Sequence, residues 1–153
     1  MKILVSACLL GENCKYSGGN NYSQAVCDFA RGHQVVLVCP EVLGGLPTPR
    51  CPAEIVQGVV TNKEGINVDQ EFRAGAAKAL AIAKENGVEL AILQSRSPSC
   101  GVKEIYDGTF SGTKIPGQGV FAKMLIDEGI RVLDAGELPK IILKNEDGKC
   151  QSD

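Results

Sequence analysis

Four short apolar runs punctuate the chain: Ile3 to Ser6, Gln34 to Val38, Leu90 to Gln94 and Ile130 to Leu133. Each is short and almost continuously apolar, the pattern of strands buried in a parallel sheet. Between them, apolar residues fall three and four apart, which is helical spacing. The first such segment runs from Tyr22-Ser23 to Arg31, with Ser23 as N-cap, Val26, Phe29 and Ala30 on one face, and Gly32 as the stop. The second, Asp69 to Asn86, is rich in strong helix formers and carries the stripe Phe72, Ala76, Ala79, Leu80 and Ala83. The third spans Val120 to Glu128 and ends at Gly129. Ala53 to Val68 alternates weakly around Asn62-Lys-Glu-Gly65 and predicts a hairpin. Val102 to Gly112 reads as irregular, with a short strand at Glu104 to Tyr106, and Leu138 to Leu143 as a small helix or strand.

The order β-α-β-hairpin-α-β-α-β predicts an α/β fold: one doubly wound, Rossmann-like parallel sheet of about four strands, helices on both faces, and a small hairpin insertion. A single domain is expected over 1–144, with a polar tail over 145–153. Cys39 to Pro52 holds four prolines and two glycines and is expected as a long, stiff loop, neither helix nor central strand.

Composition narrows the function. The chain has 153 residues, 44% of them hydrophobic, enough for one well-buried core. A net charge of -2 leaves no basic excess for a phosphate backbone, and aromatics at 5% with no Trp leave no base-stacking platform. Nucleic acid is therefore excluded as a partner. Val5-Ser-Ala-Cys8 resembles a lipoprotein cleavage box, but the preceding apolar run of about five residues is too short for a signal segment. Nothing approaches the ~18 apolar residues of a membrane span. A cytoplasmic protein is expected, and in that setting seven cysteines, an odd number, point to metal binding or catalysis and away from disulfides.

Three of those cysteines stand just past strands. Cys8 follows the first run, Cys39 the second and Cys100 the third. In open α/β sheets the ligand site lies at the carboxyl ends of the strands, so the three thiols form a candidate metal or cluster site. Cys14 and Cys51 share the same loops and are candidate fourth ligands. Cys27, beside Val26 in a helix, reads as a small buried hydrophobe; Cys150 reads as a bystander in the tail. Four thiolates suit structural zinc, but zinc sites draw on short C-x₂₋₄-C knuckles, and none is present. Three dispersed cysteines suit an iron–sulfur cluster better, and would leave one iron open as a Lewis acid with a preference for sulfur.

The polar neighbours each have two readings. Glu41, two positions after Cys39, is either a proton shuttle or a solvated loop carboxylate or helix cap. Ser97 and Ser99 either hydrogen-bond a substrate or a cluster sulfur, or simply make a turn around Pro98. Arg50 and Arg96 either neutralise a cluster or hold an anionic substrate, or lie on the surface. Gly44-Gly45 permits close backbone approach to a ligand, a weak signal alone. His33, the only histidine, precedes the second strand at the edge opposite the cysteines, so His-based catalytic triads are unsupported. No Walker or dinucleotide fingerprint is present.

The motifs Val5-Ser-Ala-Cys-Leu-Leu-Gly11, Cys39-Pro-Glu-Val-Leu-Gly-Gly-Leu-Pro-Thr-Pro-Arg50, Pro52-Ala-Glu-Ile55 and Ser97-Pro-Ser-Cys-Gly101 together resemble a bacterial domain family that includes the thiouracil desulfurases. The likeness runs to about Leu138. It implies a [4Fe–4S] cluster on three cysteines, here Cys8, Cys39 and Cys100. It implies that the sulfur of a thiolated pyrimidine binds the open iron and that water cleaves the carbon–sulfur bond without net redox change, leaving the sulfur on the cluster. Glu41 maps onto the catalytic acid/base and Ser97 onto the positioning hydroxyl; the residues themselves add Ser99, Arg50, Gly44 and Gly45 as expected substrate contacts. Two departures stand out: Cys14 and Cys51 occupy positions that need not be cysteine, and Tyr16-Ser-Gly18 stands where an acidic residue often precedes glycine. A fourth cysteine on the open iron would give the alternative, a non-enzymatic zinc or cluster protein with a saturated site.

Overall fold

The computed structural model describes residues 1–138. Four parallel strands form the central sheet: β1 (Lys2–Ser6), β2 (Gln34–Val38), β5 (Leu90–Leu93) and β8 (Arg131–Asp134), in the order β2-β1-β5-β8. The pairing is in simple register, Val5 opposite Leu37 on one side and Ile92 on the other. Three helices cover it, α1 (Gln24–Ala30), α3 (Asp69–Glu85) and α4 (Val120–Asp127), as the spacing predicts to within a few residues at each end.

Alternation along the strands decides which helix lies where. Leu4, Val38, Ala91 and Leu93 point to one face and pack on Phe72, Ala76, Ala79 and Ala83 of α3 and on Phe121 and Leu125 of α4. Ile3, Val5, Leu90 and Ile92 point to the other and pack on Val26 and Ala30 of α1 and on Leu138. This is the doubly wound arrangement. Ser23 caps α1 as expected, its Oγ accepting from the Val26 N–H at 3.2 Å. The small helix or strand expected over Leu138 to Leu143, and the polar tail, lie largely or wholly outside the described residues.

Four expectations need correction. The second run is not a buried strand. β2 is the edge of the sheet, and α1 packs over β1 and β5, leaving Val35 and Leu37 on that face 37% and 41% exposed among the described residues. The Pro-rich segment does contain a helix, α2 (Pro40–Leu43). Proline is barred only from a helix interior; at the first position its fixed φ and missing N–H cost nothing. The hairpin of β3 (Ala53–Val56) and β4 (Val59–Asn62) turns at Gln57-Gly58, where both φ angles are positive, and not at Asn62–Gly65. Asn62 instead closes the next turn, its Oδ1 accepting from the Glu64 and Ile66 N–H groups. Finally, β6 (Glu104–Tyr106) pairs with an unexpected strand, β7 (Lys114–Pro116).

Helix α2 lies almost backbone to backbone on α3. A Cβ on Gly44 would strike the Glu71 carbonyl, and one on Gly75 the Pro40 carbonyl. Gly75→Ala is therefore expected to destabilise the protein by about 3 kcal/mol, the upper end of overpacking. A drop in the urea midpoint measures it.

Candidate active site

β1 and β2 are joined over one face and β5 and β8 over the other, so the chain reverses direction across the sheet at β1. The carboxyl ends of the strands at such a switch point open a crevice. Here it is a cavity of about 460 Å³. Cys8 enters it from the 3-10 turn Ala7–Leu10 after β1, Cys39 from the junction of β2 and α2, and Cys100 from the loop after β5. Cys14, from the loop after that turn, lines it as well. Cys27 and Cys51 do not. The three strand-end cysteines thus line one cavity.

The thiols are held by hydrogen bonds from the wall. Asn21 Nδ2 donates to Cys8 Sγ at 3.4 Å, and Ser6 Oγ donates to Cys100 Sγ at 3.3 Å while accepting from the Gln94 N–H at 3.0 Å. Sequence reasoning missed both donors. Ser6 ends β1, two residues before Cys8 in the turn that follows, a placement that marks it only once the order of β1 and β5 is known.

Burial raises these thiols. It pushes Cys100 up to about 12, against the hydrogen bond from Ser6. It also pushes Cys14 up to about 12, with the neighbouring Cys39 adding to the effect. Cys8 rises for the same reason, against the Asn21 hydrogen bond. An unfolded thiol titrates near about 8.5. Above that pH the folded metal-free chain keeps protons that the unfolded chain has lost. Its stability should be full below about pH 8.5 and decline as the pH rises toward 12. Urea midpoints at about pH 7 and about pH 10 check the sign; an equal or higher midpoint in base contradicts it.

Glu41 sits in the first turn of α2 and faces the same cavity. Its side chain is 14% exposed and its partner Arg50 only 7%. Arg50 Nε donates to Glu41 Oε1 at 3.0 Å, and the rest of the guanidinium reaches the Pro47 carbonyl, Thr48 Oγ1 and the Cys14 carbonyl. With those bonds Arg50 acts as a clamp on the carboxylate and on the Cys14 loop, and it also lines the cavity. Glu41 is accordingly neither a solvated loop carboxylate nor a simple cap.

The second carboxylate oxygen faces a row of hydroxyls. Ser99 Oγ donates to Glu41 Oε2 at 2.9 Å, and Ser97 Oγ stands 2.9 Å from Ser99 Oγ. Since the Ser99 hydrogen goes to Glu41, Ser97 donates to Ser99, and the row is polarised toward the carboxylate. Ser97 Oγ also accepts from the N–H groups of Ser99 and Cys100, at 3.0 Å each. The turn reading and the site reading of these serines are thus both correct: the same bonds fix the Cys100 backbone and aim the hydroxyls.

Arg96, with φ at 62°, lines the wall. Gly44 and Gly45 do not reach the cavity; Gly44 makes the α2–α3 crossing possible. His33 stacks on Phe29, ring centroids 5.2 Å apart, and is not among the lining residues. The far wall comes from the two hairpins, through Glu54, Lys63, Tyr106 and Phe110. Glu54 Oε1 ties them together by accepting from the Gly108 and Phe110 N–H groups at 3.0 and 3.1 Å. No periodicity marks Tyr106 or Phe110 in the sequence; only the tertiary bracket brings them to the site.

Residues 3–137 match the sequence model of the 2-thiouracil desulfurase family. The chain belongs to that family. It is 43% identical, over 150 residues, to the uncharacterized protein YbbK of Bacillus subtilis (strain 168), spanning 92% of this chain and 99% of that one. The fold also matches the solved structure of the [4Fe–4S]-dependent thiouracil desulfidase TudS, with a TM-score of 0.85 and 39% identity over 94% of this chain and 97% of that one. The motif resemblance and the α/β fold class are both borne out. No helix among the described residues is long and apolar enough to cross a membrane.

Proposed function

We propose that the protein is a [4Fe–4S]-dependent desulfurase that hydrolyses the carbon–sulfur bond of a thiolated pyrimidine such as 2-thiouracil, with Cys8, Cys39 and Cys100 as the cluster ligands. The observation that carries this reading is the meeting of three strand-end thiols and a polarised hydroxyl–carboxylate row in one cavity. The donor set suits the group. Three soft sulfurs are spread around a space, and among the described residues no three His, Cys, Asp or Glu side chains close on one point as a single zinc ion needs. Hydroxyl and amide donors to Cys100 and Cys8 are the outer contacts that orient cluster thiolates. When bound, the cluster supplies a soft Lewis-acid position for the substrate sulfur.

The chain's own residues do the proton work. Arg50 occupies Glu41 Oε1, which leaves Oε2 as the basic oxygen. Oε2 takes the proton of the attacking water and returns it to the leaving side of the substrate. Ser97 and Ser99 hold the Glu41 carboxylate in place along one wall, while Tyr106 and Phe110 face it from the hairpins. Water supplies the oxygen and sulfur leaves at the sulfide level, so no external electron donor is needed.

Anaerobically reconstituted protein is expected to convert 2-thiouracil to uracil and sulfide in equal amounts without added reductant, and to carry the oxygen of labelled water into the product. A cluster-loaded protein that leaves both 2-thiouracil and 4-thiouracil intact overturns the reading.

A further inference from the structure

Cys14 is the cavity thiol that the desulfurase reading leaves idle. We propose that Cys14 is a displaceable fourth ligand, whose sulfur occupies the iron left open by Cys8, Cys39 and Cys100 until substrate arrives. The inference rests on the cluster reading above. It follows from four thiols lining one cavity while the other described cysteines, Cys27 and Cys51, stay outside it.

Position comes first. Cys14 lines the same cavity as Cys8 and Cys39, and the Cys39 thiol donates to the Cys14 carbonyl at 3.8 Å. Two of the three proposed ligands are therefore its neighbours. Of the two candidates for a fourth ligand, Cys51 lacks this placement.

The backbone explains why such a ligand would be displaceable. Cys8 and Cys100 sit in backbone fixed by the 3-10 turn and by the Ser97 turn. Cys14 lies in an irregular loop, yet its main chain is tethered on both sides. Its N–H donates to the Glu12 carbonyl at 2.9 Å, and its carbonyl accepts from Arg50 Nη2 at 2.8 Å and from the Cys39 thiol at 3.8 Å. Movement of the sulfur is then a χ1 rotation between staggered positions, with no change in the loop. Arg50 also sets a positive charge beside the thiol, which offsets the extra negative charge of a fourth thiolate.

The exchange balances. One iron–sulfur bond to Cys14 would break and one to the substrate sulfur would form, with the proton that the thiolated pyrimidine loses on binding passing to the Cys14 thiolate; no electron is transferred. The outcome is a protected resting cluster that opens only for a competing sulfur ligand.

Wild type, Cys14→Ala and Cys51→Ala are loaded anaerobically, and iron and sulfide are counted. Each is then oxidised mildly with ferricyanide and its low-temperature electron paramagnetic resonance recorded. The wild type and Cys51→Ala should stay near about four irons per chain, whereas Cys14→Ala should fall toward about three with the signal of a [3Fe–4S] cluster. A second measurement needs no variant. In the loaded wild type a maleimide should spare Cys14, and excess 2-thiouracil should expose Cys14 alone among the four cavity thiols, read by peptide mass. Equal oxidative iron loss in loaded wild type and Cys14→Ala, or Cys14 alkylation indifferent to thiouracil, overturns the inference and leaves the cluster reading standing. A wild type that takes up no cluster overturns both.

Discussion

Alanine at Cys8, Cys39 or Cys100 should each yield a folded, colourless protein. The loss follows from placement: each thiol comes from a different strand end, so no neighbouring cysteine on the same segment can take over the missing contact. Cys14 is the nearest substitute for Cys39, but its backbone is tethered to Arg50 and Glu12. Folding should survive, since Cys to Ala removes one polarisable atom from a site already lined by polar groups, a cost of about 1 kcal/mol. The measurement is anaerobic reconstitution followed by iron and sulfide counting and by absorbance near about 400 nm. Cys27→Ala and Cys51→Ala should load normally. Full cluster content in any one of the three strand-end variants would remove that cysteine from the ligand set.

Glu41→Gln should separate cluster from chemistry. The amide keeps the size of the side chain, and its oxygen can still accept from Arg50 Nε, so α2 and the Cys39 junction stay in place. What disappears is the basic oxygen that the Ser99 hydroxyl addresses. Desulfuration should fall by about 10²–10⁴-fold, the usual weight of a positioned acid/base, while iron content and absorbance stay at the wild-type level. Single-turnover assays on matched, cluster-loaded samples measure the ratio. Activity within a few-fold of wild type would place the proton transfer elsewhere.

Much of this site could be read before any coordinates. A parallel strand must end where its apolar run ends, so Cys8, Cys39 and Cys100 were locatable from three runs and one rule about carboxyl ends. Ser97, Ser99 and Glu41 lay within three residues of those cysteines and came with them. Arg50 shows where such reasoning stops. Its nearness to Cys51 and Pro52 in sequence says nothing about a guanidinium that turns back to Glu41 and crosses to the Cys14 carbonyl, 36 positions away. Gly44-Gly45 misled for a related reason. Bare backbone signals a close approach without saying to what, and here the visitor is α3. The edge position of β2 was invisible because strand order depends on which face each crossover takes, and Val35 and Leu37 look like core residues in isolation.

The Glu54 bracket splits the cavity into two inheritances. The groups proposed to break the bond hang from the carboxyl ends of the strands, where a small shift would disturb several of them together. Under the proposed reaction, recognition of the rest of the molecule would fall to two hairpins that the Glu54 carboxylate ties together. Changes in Tyr106, Phe110 or the turn between β6 and β7 can therefore retune which sulfur-bearing compounds are admitted without touching the reaction itself. A lineage built this way is free to diversify its diet while its machinery stays still.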